Sequence, residues 1–258
     1  MKAYLATALP EITLLCCACL VLVIDVFLPA SRRDVSYWLT QGALLLTAWI
    51  VLTNVRADPA LGFNGMVVDD NVSDLLELTA IAAVSLMLFY GRRYFTLRGT
   101  FTGETFVLVL FALLGMIVMI SAGSFITLYL GLELQALALY ALVAMQRDRP
   151  GTAEAAMKYF VLGALASGML LYGMSMVYGA TGSLSLDRVA EAALAANHDN
   201  RLLLLFGLVF IVSGIAFKLG VVPYHMWVPD VYEGAPTPIT LLIGTAPKLA
   251  AFAFALRM

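Results

Sequence analysis

Three lysines stand inside long apolar runs: Lys158 in AAMKYFVLGALASGMLLYG, Lys218 in SGIAFKLGVV and Lys248 in GTAPKLAAFAF. A charged side chain at the centre of a membrane-inserted helix costs about 2.5–3.5 kcal/mol, so such residues are rare and serve ion or proton pathways or pair with one another. Glu133 is the matching acid, the one charge within FITLYLGLELQALALYALVAM. Of the four lysines only Lys2 lies outside an apolar run, whereas all eleven arginines fall in links or near segment ends. Charge needed for orientation alone would not sort the two types. Proton exchange would, because a buried lysine can release its proton and arginine stays charged.

Glycine and proline surround two of the lysines. In SGIAFKLGVVPYHMWVPDVYEGAPTPITLLIGTAPKLA, Gly214, Gly220 and Pro223 flank Lys218, and Gly244 and Pro247 flank Lys248. These residues loosen the helical hydrogen-bond ladder and let polar groups or water line a break. Lys248 lies about ten residues beyond Pro238, roughly 15 Å deep at 1.5 Å per residue. Glu133 and Lys158 fall at depths of about 20 Å and 12 Å from the link between their spans, a gap that a lysine stem, tilt or water can close. A Glu133–Lys158 pair is therefore expected. His225, beside Trp227, reads either as an interfacial side chain or as a proton relay. The bland alternatives are a Lys158 that snorkels to the interface, and ion pairs through Glu133 and Lys248 that only hold helices together.

The elements that must position these residues are membrane spans. The chain has 258 residues, 62% hydrophobic and 12% charged, with mean hydropathy +0.93. Soluble domains carry about 25% charged residues, so this is a polytopic membrane protein. Eight candidate spans are read at roughly 8–29, 36–55, 73–91, 105–121, 124–145, 153–179, 202–222 and 238–258. Only Ser121 to Ser124 separate the fourth and fifth, which predicts a tight antiparallel hairpin. Ser185 to Asn200 reads as an amphipathic surface helix. Trp38 and Trp49 bracket the second span as belt residues. Gly163, Ser167, Gly168 and Gly173 give the sixth span a small-residue side. Glu11 and Asp25 lie near the ends of the first span, an interfacial placement.

Seven arginines (Arg32, Arg33, Arg92, Arg93, Arg98, Arg147, Arg149) fall in the first, third and fifth links, against Lys2, Arg56, Arg188 and Arg201 on the other side. The positive-inside rule puts the odd links in the cytoplasm and the N-terminus outside, with Asp58, Asp69 and Asp70 in an outer link. The three cysteines, Cys16, Cys17 and Cys19, share one apolar segment and read as filler, without a disulfide framework or a metal site. No basic patch suggests nucleic acid, and no dinucleotide fingerprint or P-loop occurs. The N-terminus lacks a signal-peptide pattern, so the first segment is expected to stay as a span. The last segment stops at Leu256-Arg257-Met258 with no flanking loop, so the chain is expected to continue.

These residues resemble a known family. LYLGLELQALALYALVA with its glutamate, AAMKYFVLGALASGMLLYG with its lysine, and FKLGVVPYHMWVPDVYEGAPTPIT followed by TAPKLA are similar to the antiporter-like proton-translocating membrane subunits of respiratory complex I. The resemblance covers essentially the whole chain, and its FKLG…PYHMWVPDVYEGAP run is the most specific part. It implies an all-α polytopic membrane protein of about eight transmembrane helices. Residues 1–104 would hold three leading helices. Residues 105–258, spans four to eight, would form one five-helix repeat of an inverted-repeat fold with a broken seventh helix, the second repeat being absent. It also implies proton-transfer roles for Glu133 paired with Lys158, for Lys218 as central carrier, for His225 as intermediate and for Lys248 as onward carrier. A fragment of this kind is not expected to pump alone.

The expected chain is a subunit of an NADH:quinone oxidoreductase in the bacterial inner membrane, multi-pass, with no cofactor, metal or redox centre of its own. NADH, flavin, iron–sulfur clusters and quinone would belong to partner subunits, and its partners would be other membrane subunits and lipid. A subunit of a multi-subunit cation/proton antiporter would share the same core residues. A membrane scaffold with inert ion pairs is the remaining alternative.

Overall fold

The computed structural model describes residues 6–29, 32–56, 58–146, 149–195 and 198–258, with the side chains at 198 and 199 left aside. Lys2, Arg147 and the His198 side chain therefore lie outside the described residues. The helices are α1 (Leu9–Phe27), α2 (Asp34–Asn54), α3 (Asn71–Leu97), α4 (Gly103–Ile120), α5 (Phe125–Val143) and α6 (Pro150–Thr181), followed by α7 (Leu186–Leu194), α8 (His198–Leu219), α9 (Val228–Gly234), α10 (Thr237–Gly244) and α11 (Ala246–Arg257). Among the described residues eight stretches are long and apolar enough to cross a membrane, the eighth being α10 and α11 together. These match the expected spans in number and order.

Local chemistry fixes the ends. The side chains of Asp70, Thr102 and Ser124 accept from Ser73 N, Thr105 N and Thr127 N, capping α3, α4 and α5. Pro150 opens α6, where its missing N–H costs nothing. The third span reaches Leu97, beyond the expected 91, because Arg92 and Arg93 end the apolar run without ending the helix.

The α4–α5 hairpin forms as its short link requires. Its helices touch backbone to backbone: a Cβ on Gly131 would lie 2.7 Å from the Gly115 carbonyl oxygen. Only glycine fits there. The same device joins α6 to α8, where a Cβ on Gly173 would lie 2.6 Å from the Gly207 carbonyl oxygen. Gly163 and Ser167 share that packed side of α6. Gly168 does not; it faces open space, because it sits off the i, i+3, i+4, i+7 row that these residues follow. Trp38 and Trp49 are exposed on α2, as belt residues would be, and so are Cys16 and Cys19 on α1.

Two features interrupt the helices, the first of them a departure from the all-α reading. The second link folds as an antiparallel hairpin, β1 (Ala60–Gly62) with β2 (Val67–Asp69), turned by Asn64 and Gly65 at φ 58° and 82°. It is latched to the α4–α5 link, where Val68 N donates to Ser121 O and Gly123 N to Met66 O, at 2.7 and 2.9 Å. The eighth span also breaks, at Thr245 (φ −122°, ψ −89°). Pro247 explains it, since its ring cannot follow the carbonyl four residues earlier. The amphipathic helix of the link is shorter than expected, ending at Leu194 before α8 begins at His198.

Candidate functional site

Lys218 sits in the last turn of α8, where a cation suits the helix dipole. The helix ends there because Gly220 turns left-handed (φ +70°). Gly220 N then donates to Phe217 O at 3.0 Å and Val221 N to Ala216 O at 2.9 Å, closing the helix with its own last carbonyls. The following link folds back on α8. Trp227, 2% exposed, donates its indole N–H to Phe217 O at 3.0 Å, and the Tyr224 hydroxyl donates to Ser213 Oγ at 2.8 Å. The break beside Lys218 is thus a built structure, held by side chains that the chain carries ten and eleven residues further on.

Across from Lys218 stands α5. The Lys218 ammonium lies 5.9 Å from the Tyr140 ring centroid, within cation–π range. Glu133, two turns before Tyr140 and on the same face of α5, is the carboxylate that acts on Lys218. Glu133 Oε1 and the Tyr140 hydroxyl are buried without a hydrogen-bond partner among the described residues. Gly163 of α6 leaves room for Tyr140, whose Cζ would lie 2.7 Å from a Cβ there. Tyr129, one turn before Glu133, neighbours the same carboxylate. Glu133 and Lys218 thus stand in an apolar setting framed by the phenols of Tyr129 and Tyr140.

The expected Glu133–Lys158 pair is not formed. Lys158 turns the other way, its ammonium 2.8 Å from both Glu154 Oε1 and Asp230 Oδ2, with all three side chains substantially exposed. The reason is geometric: Glu154 is one turn earlier on α6, and Thr152 Oγ1 donates to Gly234 O at 2.9 Å, which brings α9 and its Asp230 alongside. These residues line a polar cavity of about 530 Å³ with Arg98, Arg149 and Glu233. An aromatic stack joins α6 to α5 and to the link after α8: Tyr159 lies flat on Trp227 at 4.9 Å and meets Tyr140 edge-on at 4.7 Å. His225 is exposed, and no side-chain hydrogen bond joins it to Lys218 or Lys248. Lys248 is half-buried in the first turn of α11, just past the Thr245 break, with its N–H on Thr245 O at 3.0 Å. The structure brings together Glu133 and Lys218, and leaves Lys158, His225 and Lys248 apart from them.

The sequence reading missed Tyr140, Trp227, Glu154 and Asp230. The Glu154–Lys158 spacing of four was readable on a helix. Asp230 could be assigned only once α9 was folded back on α6.

At the opposite face, Arg257 ends α11 and joins three elements. Its Nε donates to Ile120 O at 2.7 Å and its NH2 to Ser73 Oγ at 2.6 Å and Asp70 Oδ1 at 3.3 Å. Burial works against the Asp70 charge, but the hydrogen bonds from Ser73 and the Arg257 charge outweigh it and hold the carboxyl below the usual range. Burial pushes the Asp69 carboxyl up, despite Arg56 at 3.4 Å.

Residues 122–258 match the family described as NADH:quinone oxidoreductase/Mrp antiporter, transmembrane. The chain is 55% identical over 253 residues to NADH-quinone oxidoreductase subunit N of Thiobacillus denitrificans, covering 98% of this chain and 52% of that protein. It is equally identical over 259 residues to the subunit N of Methylovorus glucosotrophus, covering 53% of that protein. The chain thus spans about half the length of the curated relatives it matches. Among solved structures it resembles a chain of respiratory complex I from Thermus thermophilus with bound aureothin (TM-score 0.81, 32% identity, 96% of this chain and 53% of that one). It also resembles a chain of the archaeal membrane-bound sulfane sulfur reductase (TM-score 0.79, 28% identity, 93% and 51%). The chain belongs to the NADH:quinone oxidoreductase/Mrp antiporter transmembrane family.

Proposed function

We propose that this chain is the part of an NADH:quinone oxidoreductase membrane subunit that carries protons, with Lys218 as the exchanging group and Glu133 as the charge that sets its proton affinity. The observation that carries this is the placement of Lys218 at a built helix break, opposite Glu133 and over the Tyr140 ring. Two unit charges about 8 Å apart at an effective dielectric near 20 interact by about 2 kcal/mol, about thirtyfold in proton affinity. A change in charge near Glu133 is therefore enough to load or unload Lys218.

In this reading residues 1–104 are leading helices and residues 105–258 one five-helix repeat. Lys158, at the polar cavity, is a fixed positive charge held by Glu154 and Asp230 at the arginine-rich aqueous face, while His225 and Lys248 take the proton onward through water. NADH, flavin, iron–sulfur clusters and quinone reside on partner subunits. The membrane is the bacterial inner membrane, with the arginine-rich links in the cytoplasm and the N-terminus outside.

A second reading, a subunit of a multi-subunit cation/proton antiporter, is favoured by the breadth of the family description and by the fold shared with the sulfane sulfur reductase. Co-purification with hydrophilic redox subunits separates the two. The test of the site is Glu133→Ala in the complete protein within its complex. Proton uptake into vesicles per quinone reduced should fall at least severalfold with the complex still assembled, and Glu133→Asp should fall less. Uptake at the normal ratio in Glu133→Ala would remove Glu133 from the account.

A further inference from the structure

A second group of ionisable side chains lies at the face of the β-hairpin, and Lys158, Lys218 and Lys248 are not among its neighbours. Asp70, Asp74 and Glu77 stand four and three residues apart, one column on the inward side of α3. Glu11 joins from α1, its Oε1 accepting from Ser121 Oγ of the α4–α5 link at 2.6 Å, and Asp69 joins from β2. Glu77, Asp74 and Glu11 are only 4%, 8% and 9% exposed. Glu11 Oε2 and Asp74 Oδ2 are buried with no hydrogen-bond partner among the described residues. Glu77 makes no hydrogen bond or ion pair with any described residue, and the charges that face it are Glu11, Asp74, Asp69 and, as the single opposing charge, Arg257.

Among the described residues the cations at this face are engaged, Arg56 by Asp69 and Arg257 by Asp70, and Glu11, Asp74 and Glu77 have no ion-pair partner there. Glu77 faces both Glu11 and Asp74, and three buried carboxylates so placed cannot all stay ionised; a carboxyl in that position binds a proton instead. Asp69, Asp74 and Glu77 border a cavity of about 10 Å³ with Asn54 and Ser121, room for about one water. No three of the described His, Cys, Asp and Glu side chains converge as a metal ion requires.

We propose that Glu11, Asp74 and Glu77 form a proton-binding site, holding protons in common in the folded chain and exchanging them with the aqueous face through the cavity water and Asp69. The transfer is proton exchange alone: hydronium gives a proton to a carboxylate oxygen and leaves as water, and the reverse step releases it. Glu77, about 10 Å along α3 from Asp70, is the deepest member. The site uses none of the lysines, so its failure would leave the lysine reading standing.

The test compares the complete protein in its complex with Glu77→Gln, whose amide has the shape of the protonated acid. A carboxyl protonated when folded and ionised when unfolded contributes stability that is lost as pH rises. As pH rises above the ordinary glutamate value, about 4.3, the unfolding temperature of the unsubstituted protein should fall, and the fall should be smaller in Glu77→Gln. The infrared C=O band of a protonated carboxyl, present near neutral pH, should be missing from the variant. Should Glu77→Gln fail to assemble, Asp74→Asn serves the same comparison. Parallel pH profiles with an unchanged infrared band would overturn the proposal. So would an unfolding temperature that rises with added Na⁺ or Mg²⁺ at fixed ionic strength, which would mark a cation site.

Discussion

The Lys158 ammonium rests 2.8 Å from Asp230 Oδ2, so the sixth span is tied to the short helix that follows the broken seventh rather than to Glu133. Both partners are well exposed, where ion pairs are screened and add little stability. Lys158→Arg should therefore keep coupled proton transfer, since arginine serves two carboxylates at least as well. Lys158→Ala should be milder than Lys218→Ala, and Asp230→Asn should barely move the unfolding temperature. Proton uptake and thermal unfolding on the same vesicle-reconstituted complexes check this. A Lys158→Ala loss equal to that of Lys218→Ala would contradict the geometry.

Arg257 fixes the pH response of the opposite face. Asp70 has its carboxyl held below the ordinary range, so it contributes stability above about pH 4 that is lost as pH falls. Asp70→Asn should flatten the acid limb of unfolding temperature against pH. Asp69, pushed up by burial, has the opposite sign. It contributes stability at low pH that is lost as pH rises through its folded value, so Asp69→Asn should gain on the unsubstituted protein above about pH 4. Equal slopes in all three proteins would show that neither carboxyl is linked to folding.

The orientation rests on the sorting of arginines. With Cys16, Cys17 and Cys19 replaced, single cysteines at Arg93 and at Asp187, both exposed, should label from opposite faces of the membrane, Arg93 from the cytoplasm. Labelling from one face would overturn the alternation of the spans.

Most of this architecture is legible in the sequence because hydrophobic runs of about 20 residues set spans regardless of packing. The α4–α5 hairpin follows from a link too short for any other path. Glu133 and Lys218 could be singled out because each is an isolated charge in an apolar run. What the sequence concealed depends on fold-back. Trp227 looked like an interfacial neighbour of His225, yet it is the buried residue that pins the helix break, and His225 is exposed. The Glu133–Lys158 pairing came from depth along two helices. Depth does not encode which side a residue faces, and Glu154 and Asp230 were nearer partners. The break at Thr245 was legible, because Gly244 and Pro247 flank Lys248 and loosen the helix there. The carboxylates of Glu11, Asp74 and Glu77 are spread over two spans, and only tertiary packing shows that they meet.

The central claim is that Lys218 gives up and regains a proton. Arginine keeps the positive charge and the ring contact but does not release its proton at any pH a protein survives. The measurement is proton uptake by vesicles carrying the complete complex with Lys218→Arg, taken alongside the rate of NADH-driven quinone reduction. The account predicts an assembled complex whose coupled proton uptake falls about as far as in Lys218→Ala. Uptake per quinone at the normal ratio with arginine in place would contradict proton exchange at Lys218 and leave it only an electrostatic role.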